Sequence, residues 1–244
     1  VDPEFASIVS DVLTHTANDI RERVAAIHLP ARSEMEALVA HYFSRRMWTP
    51  QKINLAIAVD LGIRDNATLR RLNTMTAYGL MHSLILDDIV DNKGLGRLSE
   101  LRNVYLSHLF FSFYVDEWLK LCEDQPQERF AEFVRIECDT YTALFEEELN
   151  HVGISKSFGL PNIMLKKCSP MKAIALPVLR WANREDLKVE VFYILDNGAY
   201  ALCILDDLLD WEEDYERRRF TYPIQLALES CGAVYEPDKH DEIK

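Results

Sequence analysis

The stretch ILDDIVD at 85–91 recurs as ILDDLLD at 204–210, and each copy closes a long segment that grows more apolar toward its end. An acidic cluster placed after an apolar run on a helix faces something other than bulk water. On a helix Asp87 and Asp91 share one face, with Asp88 turned about 100° away. Asp206, Asp210 and Asp207 repeat that geometry, and Asp214 extends the face by another turn. The helix dipole and mutual repulsion both oppose carboxylates at a helix C-terminus. That opposition points to cations as the missing partner.

The rest of the chain reads as helix. Eight Gly and nine Pro in 244 residues are too few for a sheet protein with many tight turns, and apolar residues recur at spacings of three and four. Helices are expected over 5–27, 34–47, 51–62, 67–91, 97–123, 127–152, 161–181, 185–211 and 219–230. The apolar runs of 67–91 and 187–211 predict two central helices buried on several sides. No loop is long or low in complexity, so residues 1–244 are expected to form a single all-α domain, a helical bundle. The opening VDPEF reads as a cloning scar.

The formal net charge is −13, so the Lys/Arg surplus that nucleic acid demands is missing and no nucleic-acid partner is expected. No apolar stretch reaches about 18 residues, and no transmembrane segment is expected. The five cysteines, Cys122, Cys138, Cys168, Cys203 and Cys231, are odd in number and lack CxxC spacing. They read as reduced core residues of a cytoplasmic protein.

Hard divalent ions, Mg²⁺ above all, take oxygen ligands, keep several waters and bridge a few carboxylates to phosphates. Two such clusters would clamp a strongly anionic group. A diphosphate with a hydrocarbon tail suits the carboxylates and the apolar walls beside them. The EEE run at 146–148 reads as a solvated helix face.

DDIVD (87–91) and DDLLDWEED (206–214) resemble the two aspartate-rich motifs of the class I isoprenoid synthases, the trans-prenyltransferases and related terpene synthases. The resemblance spans roughly 34–230 in motif order and helical character. It implies the isoprenoid (terpenoid) synthase fold with a central cavity, and three Mg²⁺ ions on an allylic diphosphate. Their ligands would be Asp87, Asp88, Asp91, Asp206, Asp207 and Asp210, with Asp214 as a further acidic position. Lys167 lies 39 residues before Asp206, the spacing of the family's diphosphate-contacting Lys. Arg219, in RRRFTYP, matches a basic position after the second motif. Arg97 stands alone where elongating enzymes have an Arg pair. His82 and Ser83 fall on the family's chain-length positions, and Leu202 and Cys203 stand where Phe-Gln is expected. Tyr78, Phe113, Tyr141 and Phe145 are candidates for the cavity wall, where ring faces stabilise cations.

No GKxxR segment is visible, although Arg45 and Arg46 are basic residues in a similar region. The absent handles for a second diphosphate favour a terpene synthase that ionises a prenyl diphosphate, geranyl to geranylgeranyl in length, and releases diphosphate. Alternatives are a prenyltransferase, elongating with isopentenyl diphosphate or alkylating another acceptor, and a non-catalytic regulatory subunit of a prenyl synthase. The resemblance further implies a homodimer. Family members usually continue with further helices after the second motif, so a C-terminal truncation is expected.

Overall fold

The computed structural model describes residues 3–27, 36–37, 39–40, 48–90, 97–121, 126–151, 160–167, 169–216 and 221–231. Among them there is no β-strand, so the all-α expectation holds. The helices are α1 (Pro3–Ala26), α2 (Trp48–Asp60), α3 (Asn66–Val90), α4 (Arg97–Leu121), α5 (Pro126–His151), α6 (Leu160–Lys167), α7 (Pro170–Trp181), α8 (Lys188–Leu209), α9 (Trp211–Glu216) and α10 (Tyr222–Ser230). A 3-10 turn, Glu185–Leu187, precedes α8. No helix among the described residues is long and apolar enough to cross a membrane.

Proline sets many of the helix starts. Pro3, Pro50, Pro126, Pro161, Pro170 and Pro223 lie in first turns, where a missing N–H leaves no hydrogen bond unmade. Pro170 corrects one expectation. The continuous helix anticipated over 161–181 divides into α6 and α7, because Pro170 disfavours the helical conformation in the residue before it.

The chain groups into two compact units. The first is Val1–Phe133 with Pro170–Val189, and the second is Val134–Ser169 with Glu190–Lys244.

In the first unit α3 is central and contacts α1, α2, α4 and α7. Twelve of its residues are buried, from Leu69 to Ile85, as its apolar run predicted. The turn into it is built locally. Gly62 adopts φ 91°, its N–H reaches Val59 O at 2.9 Å, and Ile63 N–H reaches Ala58 O at 3.0 Å. These bonds close α2 in a Schellman motif. Asp65 Oδ2 then accepts from Thr68 N at 2.8 Å and caps α3, and hydrogen bonding from the Thr68 side chain, then from its backbone N–H, lowers the Asp65 pKa.

Aromatic residues fill the space between α3, α4 and the start of α5. Trp118, Tyr78, Tyr114, Phe110 and Phe133 are all fully buried. The Trp118 indole N–H donates to Ala173 O at 3.0 Å and ties α4 to α7. Arg23 fastens α1 to the same region. Its guanidinium donates to Glu117 and Asp116, both at 2.9 Å, and lies over the Phe113 ring at 4.3 Å.

In the second unit the buried apolar side chains among the described residues are Ile136, Ala143, Leu144, Ile163, Met164, Val191, Leu195, Ala199 and Ile224. Helix α8 departs from expectation, since its buried residues are Val191, Leu195 and Ala199 alone. Tyr193, Ile194, Leu205, Leu208 and Leu209 stand exposed. A run that is apolar all round predicts burial all round, yet the neighbours in this unit cover one stripe of residues four apart. The cysteines depart from core placement too: Cys138 and Cys231 are exposed and Cys203 half-buried, none of the three in a disulfide. Cys122 and Cys168 lie outside the described residues.

Candidate functional site

The first aspartate motif ends α3. Asp87 and Asp88 occupy its last turn, both half-buried, and Asp91 lies outside the described residues.

The second motif ends α8 and continues into α9. Backbone bonds from Asp210 N to Asp206 O (3.2 Å) and from Asp214 N to Asp210 O (3.0 Å) carry the helical path across the break between the two helices. Asp206 and Asp210 are exposed, whereas Asp207 and Asp214 are half-buried. The crowded carboxyl is therefore Asp207, the one that spacing turned away from the others. Burial, then the charges of Glu147 and Asp214, push its pKa up to about 7, with Asp210 adding to the rise and Lys167 opposing it. Positions 207, 210 and 214 form a stripe at helical spacings of three and four.

Lys167 is the last residue of α6. Its Nζ lies 2.9 Å from Glu147 Oε2, and the neighbouring Lys166 is 3.8 Å from Glu146. This corrects the solvated reading of the EEE run for its first two residues, the Glu148 side chain lying outside the described ones. Glu146 and Glu147 are 16% and 24% exposed and face α6. Glu147 is the residue that sequence reasoning missed, because its partners lie 20 and 60 positions further along the chain. The one available signal was a glutamate pair preceding a lysine pair by about the same interval.

The remaining candidates are scattered. Arg219 lies outside the described residues, and Arg97 is the first residue of α4. His82 is buried at 6% exposure, with Nδ1 at 2.9 Å from both the carbonyl oxygen and the hydroxyl of Ser107 on α4. With the proton on Nδ1 the ring donates to that carbonyl, so His82 joins two helices. Ser83 Oγ donates to Gly79 O at 3.0 Å, back onto its own helix. Leu202 and Cys203 are half-buried on α8. Tyr78 packs in the first unit's core and its hydroxyl pKa is pushed up to about 12 by burial, while Tyr141 and Phe145 are 38% and 67% exposed.

A cavity of about 310 Å³ opens in the first unit, lined by Trp118, Glu128, Arg129, Glu132, Leu176, Leu179, Glu185 and Lys188. None of these belongs to an aspartate motif. Four of its five charged residues pair with one another: Lys188 with Glu132, and Arg129 with Glu185 at 3.2 Å.

Among the described residues no three His, Cys, Asp or Glu side chains converge closely enough to hold a metal ion by themselves. The donor chemistry nevertheless fits Mg²⁺. Every candidate ligand is a carboxylate oxygen, and Asp207, whose pKa is raised first by burial and then by Glu147 and Asp214, lies among negative charges that a divalent cation would offset. An ion that keeps its waters and shares phosphate oxygens needs one or two protein ligands, not three. Compared with known proteins, the chain matches no family model and shows no significant similarity to a curated sequence.

Proposed function

We propose that the chain is a Mg²⁺-dependent class I isoprenoid synthase, with the terpenoid-synthase form of the all-α fold, which ionises an allylic prenyl diphosphate and releases diphosphate to form a terpene. The observation that carries this reading is the environment of Asp207. Its carboxyl is pressed by Glu147, Asp214 and Asp210 and countered by Lys167, an arrangement that becomes favourable when cations bind. The repeated ILDDxxD supports it from the sequence side.

In this reading each motif would offer carboxylates to metal ions, Asp87, Asp88 and Asp91 from the first and Asp206, Asp207 and Asp210 from the second, and Asp214 would add a further carboxylate. Bound Mg²⁺ supplies positive charge to the leaving diphosphate. Lys167 adds a point charge to the diphosphate oxygens, and Arg97 and Arg219 offer paired hydrogen bonds. Ionisation itself needs no general base.

A prenyltransferase is the second reading, favoured by the lettering of the second motif, DDLLD, which is that of chain-elongating enzymes.

The test is product analysis after incubation with Mg²⁺ and geranyl, farnesyl or geranylgeranyl diphosphate, each with and without isopentenyl diphosphate. A hydrocarbon or terpene alcohol formed without isopentenyl diphosphate is the expected result. A longer diphosphate appearing only with it would establish elongation instead. In parallel, Mg²⁺ with inorganic diphosphate should raise the melting temperature by mass action, and Asp87→Ala or Asp206→Ala should abolish the shift. A wild-type protein that shows no shift sinks the metal reading.

A further inference from the structure

Three carboxamides in the first unit are shut away from solvent without enough protein partners. Asn54 on α2 is 2% exposed, and neither its Oδ1 nor its Nδ2 has a hydrogen-bond partner. Gln51, one turn earlier, is 1% exposed and its Nε2 is unpartnered. Asn73 on α3, also 1% exposed, donates from Nδ2 to Thr16 Oγ1 of α1 at 2.8 Å and leaves its Oδ1 unpartnered. An amide buried in this way has given up its hydrogen bonds to water and regained few or none. Native interiors rarely tolerate that.

Helix register brings Asn54 and Asn73 to nearly one level, with Gln51 one turn further from the link. Helices α2 and α3 are joined by the short link 61–65 and contact each other, the arrangement of an antiparallel hairpin. Asn54 precedes the end of α2 by six residues, and Asn73 follows the start of α3 by seven. At the helical rise these positions are about 9 Å and about 10.5 Å from the turn. Gln51 and Asn54 are three apart and share a face. Helix α1, which carries Thr16, contacts both α2 and α3.

The unpartnered atoms are complementary in kind. Gln51 Nε2 and Asn54 Nδ2 donate, while Asn54 Oδ1 and Asn73 Oδ1 accept. A buried water accepts and donates, and makes about three such bonds to groups otherwise unsatisfied. We propose that the α1–α2–α3 contact encloses bound water, which joins Gln51 and Asn54 of α2 to Asn73 of α3. The surrounding core of Leu55, Leu69 and Leu72 is non-directional and lets helices slide. A water-bridged layer has one geometry. It sets the height of α3, and so of the carboxylates at its end, against α1 and α2.

A high-resolution crystal structure of the wild-type protein tests this directly, with water expected within hydrogen-bond distance of both Asn54 and Asn73. In solution, oxygen-17 magnetic relaxation dispersion counts long-lived internal waters. Asn54→Leu should lose at least one from the wild-type count, and Thr14→Ala, at an exposed position of α1, should lose none. Should Asn54→Leu fail to fold, the wild-type density decides alone. Direct amide-to-amide hydrogen bonds without intervening water overturn the proposal, as does a count unchanged in Asn54→Leu.

Discussion

Lys167 at the end of α6 and Glu147 on α5 form an ion pair, Nζ to Oε2 at 2.9 Å, with each side chain about a quarter exposed. The basic group proposed to meet diphosphate is thus already engaged by a carboxylate that also presses on Asp207. Glu147→Gln keeps the shape, breaks this ion pair of Lys167 and removes one negative charge. Titration calorimetry with inorganic diphosphate and Mg²⁺ should show about 2–5-fold tighter binding, the scale of a partly exposed pair. Weaker binding would make Glu147 a metal ligand, contrary to this account.

Asp207 makes metal-free stability depend on pH. Its folded pKa of about 7 lies above the ordinary 3.8, so the folded chain binds a proton that the unfolded chain has released. Stability from this group is present below about pH 4 and is lost as pH rises through about 7. Asp207→Asn should therefore raise the metal-free melting temperature by a few degrees near pH 8 and leave it unchanged near pH 4. Equal melting temperatures at the higher pH would contradict the crowding of Asp207.

His82 titrates in the opposite sense. Burial pushes its pKa down to about 4, from 6.5. The neutral ring is the folded form, so its contribution is complete above about pH 6.5 and is lost as pH falls toward 4. Between about pH 7 and pH 5 this amounts to about 2 kcal/mol. Urea denaturation at the two pH values should show that difference in the wild type and a smaller one in His82→Gln. An equal difference in both proteins would assign the pH dependence to other groups.

Gly79 allows α3 and α4 to approach. A Cβ there would sit 3.2 Å from two ring carbons of Tyr114, itself fully buried and wedged against Phe111 and Phe133. Overpacking of this kind costs about 1–3 kcal/mol, and the better helix propensity of alanine returns up to about 1 kcal/mol. Gly79→Ala should be destabilised by about 1 kcal/mol in urea unfolding. A variant more stable than wild type would mean that the Tyr114 ring yields.

Helix positions were legible because they depend on neighbours three and four residues away. Apolar spacing located α3 to within a residue at its start, and prolines marked where several helices begin. Only the tertiary structure could show that α8 is covered along one stripe, since an apolar run records what can be buried and not what is at hand to bury it. The same holds for His82, whose hydrogen bonds come from Ser107, 25 residues along.

The repeated ILDDxxD identified by itself which carboxylates to watch, because their mutual repulsion on a helix is a local matter. Which of them bears the strain was decided in three dimensions. Asp207 is crowded by Glu147, 60 positions earlier and on another helix, and charge repulsion depends on distance through space, which spacing along one helix does not reveal.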